Sequence, residues 1–183
     1  MKKILTQVAQ WPLLLFLLLG TTACLYFFQE AQVAMSQLAG EKVVLIDLRK
    51  GYDLAEIQGF FEQIGEEGRS IHQQATGVTD MIFPLFYGLF LILLAAFLIK
   101  KISSTASTAL YGALFPLVLV VVDYGENVQI LHLLYSYPQL TASMVDQAAQ
   151  WTFIKNVGTT LCLLEIAVLL LLLVIKKLKT TPS

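Results

Sequence analysis

Four long apolar runs leave this 183-residue chain little choice of fold. They occupy residues 11–28, 81–99, 108–135 and 151–175. A helix needs roughly 20 residues, at about 1.5 Å rise each, to cross a hydrocarbon layer of about 30 Å, and each run is close to that length or beyond it. With 57% hydrophobic residues, 14% charged residues and a mean hydropathy of +0.72, the chain falls outside the soluble range. The expectation is an all-α integral membrane protein, a four-transmembrane-helix bundle.

The basic residues set its orientation. Lys2 and Lys3 precede the first run, Lys100 and Lys101 follow the second, and Lys176, Lys177 and Lys179 follow the fourth. If every run crosses, these clusters share one face, which the positive-inside rule assigns to the cytoplasm together with both termini. The location expected is a plasma membrane. A competing reading makes residues 1–24 an export signal with Cys24 at its end. It fits less well, because Thr21 stands where such signals prefer leucine and "LYFF" continues the apolar run past Cys24.

No repeat, low-complexity tract or flexible linker divides the chain, so residues 1–183 read as one domain. An extracytoplasmic loop subdomain spans about 30–79. Within it "KVVLIDL" suits a short extended segment. Asp53 and Glu56 have capping-box spacing at the head of a helix, and Leu54, Ile57, Phe61 and Ile64 place an apolar stripe along it. Nearby Glu56, Glu62, Glu66 and Glu67 disfavour an anionic lipid surface, so this helix is expected to cap the bundle. Without a proline before Pro84, helix can continue from the loop into the second span.

The runs "IGEEGRSIH", "DMIFPLFYGLF" and "DYGEN" together resemble those of a group of uncharacterised four-span bacterial membrane proteins. That group carries similar Gly-x-x-Gly-Arg, Asp-x-x-(Phe/Tyr)-Pro-Leu-x-Tyr-Gly and Asp-Tyr-x-Glu-Asn runs. The likeness covers roughly residues 50–130 and implies an architecture without an assigned activity. Where such sequences often have an aromatic residue, this one has His72.

Ionisable residues inside the spans are the candidates for a site. By helix rise Asp123 lies about 22 Å and Glu126 about 27 Å above Thr108, and Lys155 reaches the level of Glu126 from the other direction. Asp123, Glu126 and Asn127 share one arc of the third span; Thr152, Lys155, Asn156 and Thr159 share a stripe of the fourth; Asp80, Pro84 and Tyr87 align on the second. A charge near the bilayer centre costs roughly 2.5 to 3.5 kcal/mol, so these stripes should converge inside the bundle. Glu165 stands deeper, with no basic residue at its level. Pro116 predicts a kink in the third span.

Two uses of this cluster follow. One is an outward-facing acidic pocket; the other is a knot fixing helix register, with Glu126 on Lys155 and with Asp123 and Asn127 bonded to Tyr87, Thr159 or Asn156. His72 and His132 read as surface side chains, and Trp11, Trp151, Tyr135 and Tyr137 as interfacial anchors. Cys24 and Cys162 read as small buried hydrophobes. Metal-ligand spacing, a nucleophile elbow, a phosphate loop and a nucleic-acid patch are all missing from the sequence. No cofactor is expected. The function expected is a membrane binding or accessory protein whose pocket takes a lipid, peptide or cation, with a protein partner or second copy in the bilayer. The alternatives are a small membrane enzyme using Asp123 and Glu126 for acid/base or metal-assisted work, and an oligomeric proton- or cation-coupled carrier.

Overall fold

The computed structural model describes residues 10–103 and 109–180. Lys2, Lys3 and the expected start of the third span at Thr108 lie outside the described residues. Among the described residues the regular structure is all helical, without strands. Helix α1 is Trp11–Ala39, α2 is Leu54–Gln74, α3 is Asp80–Ile102, α4 is Pro116–Ser136 and α5 is Ala142–Thr180. A π-helical turn, Ala75–Thr79, joins α2 to α3, and 3-10 segments occupy Ile46–Leu48 and Ala109–Leu114. Four helices are long and apolar enough to cross a membrane, with α2 and α3 together counting as one of them.

The two ends of the bundle differ. Helix α3 packs against α1, α4 and α5, and α4 and α5 also pack on each other. At the lysine-bearing end, Leu14 and Leu17 of α1 meet Leu93, Ala96 and Ile99 of α3 in one apolar core. There Lys176 Nζ donates to the carbonyls of Lys101 and Ile102, both at 2.9 Å, and so caps the free C-terminal end of α3. At the other end Ile57, Phe60, Phe61 and Ile64 of α2 join Met35, Ile130, Leu133, Val145 and Ala148 in a second core. The apolar stripe of α2 thus lies over the ends of α1, α4 and α5.

Each element of this cap has a local cause. Asp53 Oδ1 accepts from the Glu56 amide and Glu56 Oε2 from the Asp53 amide, both at 2.9 Å, which completes the capping box. Residues 42–45, where a short extended segment was expected, form neither helix nor strand. Val43, Leu45 and Ile46 instead turn into the core, and the Val43 amide donates to Ser36 Oγ at 3.1 Å. Gly65 interrupts α2 at φ 66°, ψ −170°, a conformation without strain only for glycine. The break frees carbonyls at the end of the first segment. Arg69 folds back to fill one, donating to Phe61 O at 2.7 Å while its guanidinium stacks 4.4 Å from the Tyr137 ring.

Pro116 interrupts the third span, Leu110–Ser136, at a junction of segments rather than inside one helix. It opens α4 at its first position, after the 3-10 segment, where a missing amide hydrogen removes no helical bond. The fourth span's helix begins nine residues earlier than its apolar run, at Ala142, so the connection from the third span shrinks to residues 137–141.

Candidate functional site

Between the two apolar cores lies a polar layer. Asp80, Asp123, Glu126 and Asn127 are all buried, at 4%, 3%, 0% and 0% exposure. The helix-breaking residue Pro84 explains how the layer is built. Proline has no amide hydrogen, so the carbonyl four residues back, that of Asp80, loses its helical partner. Asn127 supplies a replacement: its Nδ2 donates to Asp80 O at 2.7 Å. One turn away Tyr124 OH donates to Met81 O at 2.9 Å, and Tyr87 OH donates to Asp123 Oδ2 at 2.5 Å. A polar face of α4 therefore plugs the gap that Pro84 opens in α3.

Every position of "DYGEN" takes part. Besides the three contacts to α3, a Cβ on Gly125 would lie 2.4 Å from the Trp151 ring, and one on Gly88 would lie 2.2 Å from Val120 Cγ2. Only glycine lets α4 approach both neighbours this closely. Glu126 forms an ion pair with Lys155 of α5. Lys155 also lies 3.8 Å from Asp47 Oδ2 in the cap, so one ammonium ties the bundle to the cap. Beside it Tyr52 OH and Thr152 Oγ1 are 3.0 Å apart. Burial pushes the Tyr52 phenol from 10.0 up to about 12.

The expected register knot is thus present in detail for Glu126 with Lys155 and for Asp123 with Tyr87. Asn127 chooses a backbone carbonyl instead of Thr159 or Asn156. Those two residues are exposed, although at about 100° per residue Thr159 falls on the same arc of α5 as Thr152 and Lys155. Glu165 is set apart: its Oε1 lies 3.9 Å from where a Gly112 Cβ would be. Asp123 Oδ1, Glu126 Oε1 and Asn127 Oδ1 are buried without a hydrogen-bond partner among the described residues.

Neither Asp123 nor Glu126 lines the clefts that open beside residues 32–42, around Arg49 and Lys50, or along α5. The one that touches candidate residues is a groove of about 570 Å3 along α5, reached by Asn156 and Thr159. Among the described residues no three His, Cys, Asp or Glu side chains gather as a metal ion would require. Cys24 and Cys162 are free and buried.

Sequence reasoning missed three contributors. Asp47 comes from a cap segment whose path no periodicity reveals. Tyr52 precedes the capping box and looks like loop. His72, expected at the surface, is 1% exposed: its Nδ1 is 3.1 Å from Thr76 Oγ1 and its ring stands edge-on to Phe60. The four-residue spacing of His72 and Thr76 on a helix was the available signal. His132 is exposed as expected. Tyr137 and Trp151, expected as interfacial anchors, pack internally on Phe61 and Gly125.

Compared with known proteins, the chain matches no family model, no curated protein and no solved structure.

Proposed function

We propose that this chain is a multi-pass membrane binding or accessory protein of a bacterial plasma membrane, with the cap outside and the lysine-bearing end in the cytoplasm. One observation carries the reading. Glu126, Lys155 and Asp47 are committed to one another, while the adjoining face of α5 keeps an open groove. On this reading the acidic layer is a frame that holds the cap on the bundle, and the ligand, a lipid, peptide or cation, sits on the outward half of the molecule beside Lys155. The resemblance of its three motifs to uncharacterised four-span membrane proteins fits a frame, because those motifs are the ones that break and plug helices here.

Mass spectrometry of the intact chain released from its own membrane tests this. The expected result is a ligand or partner chain retained at fixed stoichiometry by the wild type. The enzyme alternative would prevail if Asp123→Asn and Glu126→Gln folded normally, kept any such ligand and lost turnover of a lipid-like substrate. The carrier alternative would prevail if the same variants folded normally and lost a pH-dependent flux in proteoliposomes.

A further inference from the structure

The groove along α5 has a composition gradient. Leu161 gives it an apolar far end, Val157 lies midway, and Phe153 and Leu48 flank the end nearest the cap. Between them Asn156, Thr159 and Thr160 are exposed on a helix face that is otherwise hydrocarbon-like, with Leu161, Leu164 and Val168 all 48% exposed or more. At the cap end stands Lys50.

Depth gives this gradient a meaning. Asn156 is twenty residues from Lys176, the lysine that caps α3 at the opposite end, and so lies about 30 Å from it along the axis, one hydrocarbon thickness away. Lys50 and Phe153 then lie at headgroup level, and Thr159, Thr160 and Leu161 just inside the acyl region. Polar groups exposed at that depth need partners that alkyl chains do not offer. Thr160 Oγ1 satisfies itself on Asn156 O at 2.9 Å, and Asn156 Nδ2 reaches Arg49 O only at 3.4 Å. Thr159 has no side-chain partner among the described residues. Glu56 and Asp146 border two adjoining clefts that Lys50 also reaches, yet neither pairs with it, and Asp47 is engaged by Lys155. Arg49 is turned away, donating to Val44 O and stacking on Phe60. Among the described residues Lys50 is therefore a cation without an ion-pair partner, at the mouth of an amphipathic groove.

We infer that the groove seats one membrane glycerophospholipid. Its phosphodiester rests on Lys50, its glycerol ester region meets Asn156 and Thr159, and one acyl chain follows Val157 and Leu161. The inference rests on the binding reading above and names its ligand. The volume of about 570 Å3 suits the headgroup and upper chain of a single lipid, the remaining chain lying against α5.

Native mass spectrometry of the full chain titrated with phosphatidylglycerol provides the test, with a diacylglycerol of the same chains as the phosphate-free control. Wild type should hold one phosphatidylglycerol, and Lys50→Ala should weaken that binding about tenfold, the scale of one charge-assisted hydrogen bond. Lys42→Ala, a cation outside this groove, should leave binding unchanged, and diacylglycerol should bind both forms equally poorly. Equal binding by wild type and Lys50→Ala, or diacylglycerol binding as tightly as the phospholipid, overturns the assignment. If no phospholipid is held but a partner chain stays at fixed stoichiometry, the lipid assignment falls and the binding reading stands; if neither is held, both fall.

Discussion

A proline in a membrane helix leaves a carbonyl that water cannot reach, and in this chain Asn127 is the residue that answers it. Asn127→Leu should therefore destabilise the folded state by about 1–3 kcal/mol, the penalty of an unsatisfied buried acceptor. The sharper expectation concerns the pair. Pro84→Ala returns an amide hydrogen to the Asp80 carbonyl, so in that background Asn127→Leu should cost less by about 1 kcal/mol. Unfolding curves for the four proteins in one detergent check this; strictly additive losses would mean that the plug does not act on the proline gap. The sequence showed Asn127 facing inward, through its arc with Asp123. It could not show the choice of partner, since an amide, a hydroxyl and a backbone carbonyl at one depth are chemically equivalent acceptors until two helices are in register.

At the scale of elements, contact depends on what is absent as much as on what is present. Gly88→Ala places a Cβ 2.2 Å from a Val120 methyl and should cost about 1–3 kcal/mol through overpacking. Val120→Ala removes that methyl, so the double variant should recover most of the loss relative to Val120→Ala alone. The cap offers a second test at this level, through pH. Because burial raises the Tyr52 phenol to about 12, the neutral form is the one that the docked cap keeps. Below pH 10 folded and unfolded phenols are both neutral and Tyr52 adds no pH dependence. As pH rises from about 10 to about 12 an unfolded phenol ionises first, so stability should fall across that window. The late-titrating phenolate absorbance should shrink by one tyrosine in Tyr52→Phe, along with this part of the stability decline. The helices themselves were legible as apolar runs, but their ends were not. Helix α5 begins with "ASMVDQAAQ", which is too polar to register as membrane span, and Pro116 at the first position of a helix looks in sequence like proline within one.

For the whole molecule, the decisive link is Lys155, which faces Glu126 in the bundle and Asp47 in the cap. Lys155→Met leaves Glu126 as an uncompensated buried charge and should cost about 3–5 kcal/mol, whereas Lys155→Met with Glu126→Leu should be substantially milder. Asp47→Asn should act differently, loosening the cap while sparing the bundle. Hydrogen exchange would separate the two: faster exchange in residues 54–64 with unchanged protection in 119–134 is the expected pattern for Asp47→Asn. Uniform loss of protection in that variant would show that cap and bundle unfold as one unit.

The sequence by itself determined the four crossings, the capping box of α2, the apolar stripe along that helix and the common depth of Glu126 and Lys155. These follow from length, period and rise per residue, which are local quantities. Tertiary structure alone decided that Asn127 fills the gap left by Pro84, that Asp47 closes the ion pair from the cap, that His72 is buried and that Asn156 and Thr159 turn outward into a groove. Each of those depends on the relative rotation and closeness of two elements. A lone helix leaves both free, and here the glycine contacts and the layer of committed charges fix them together.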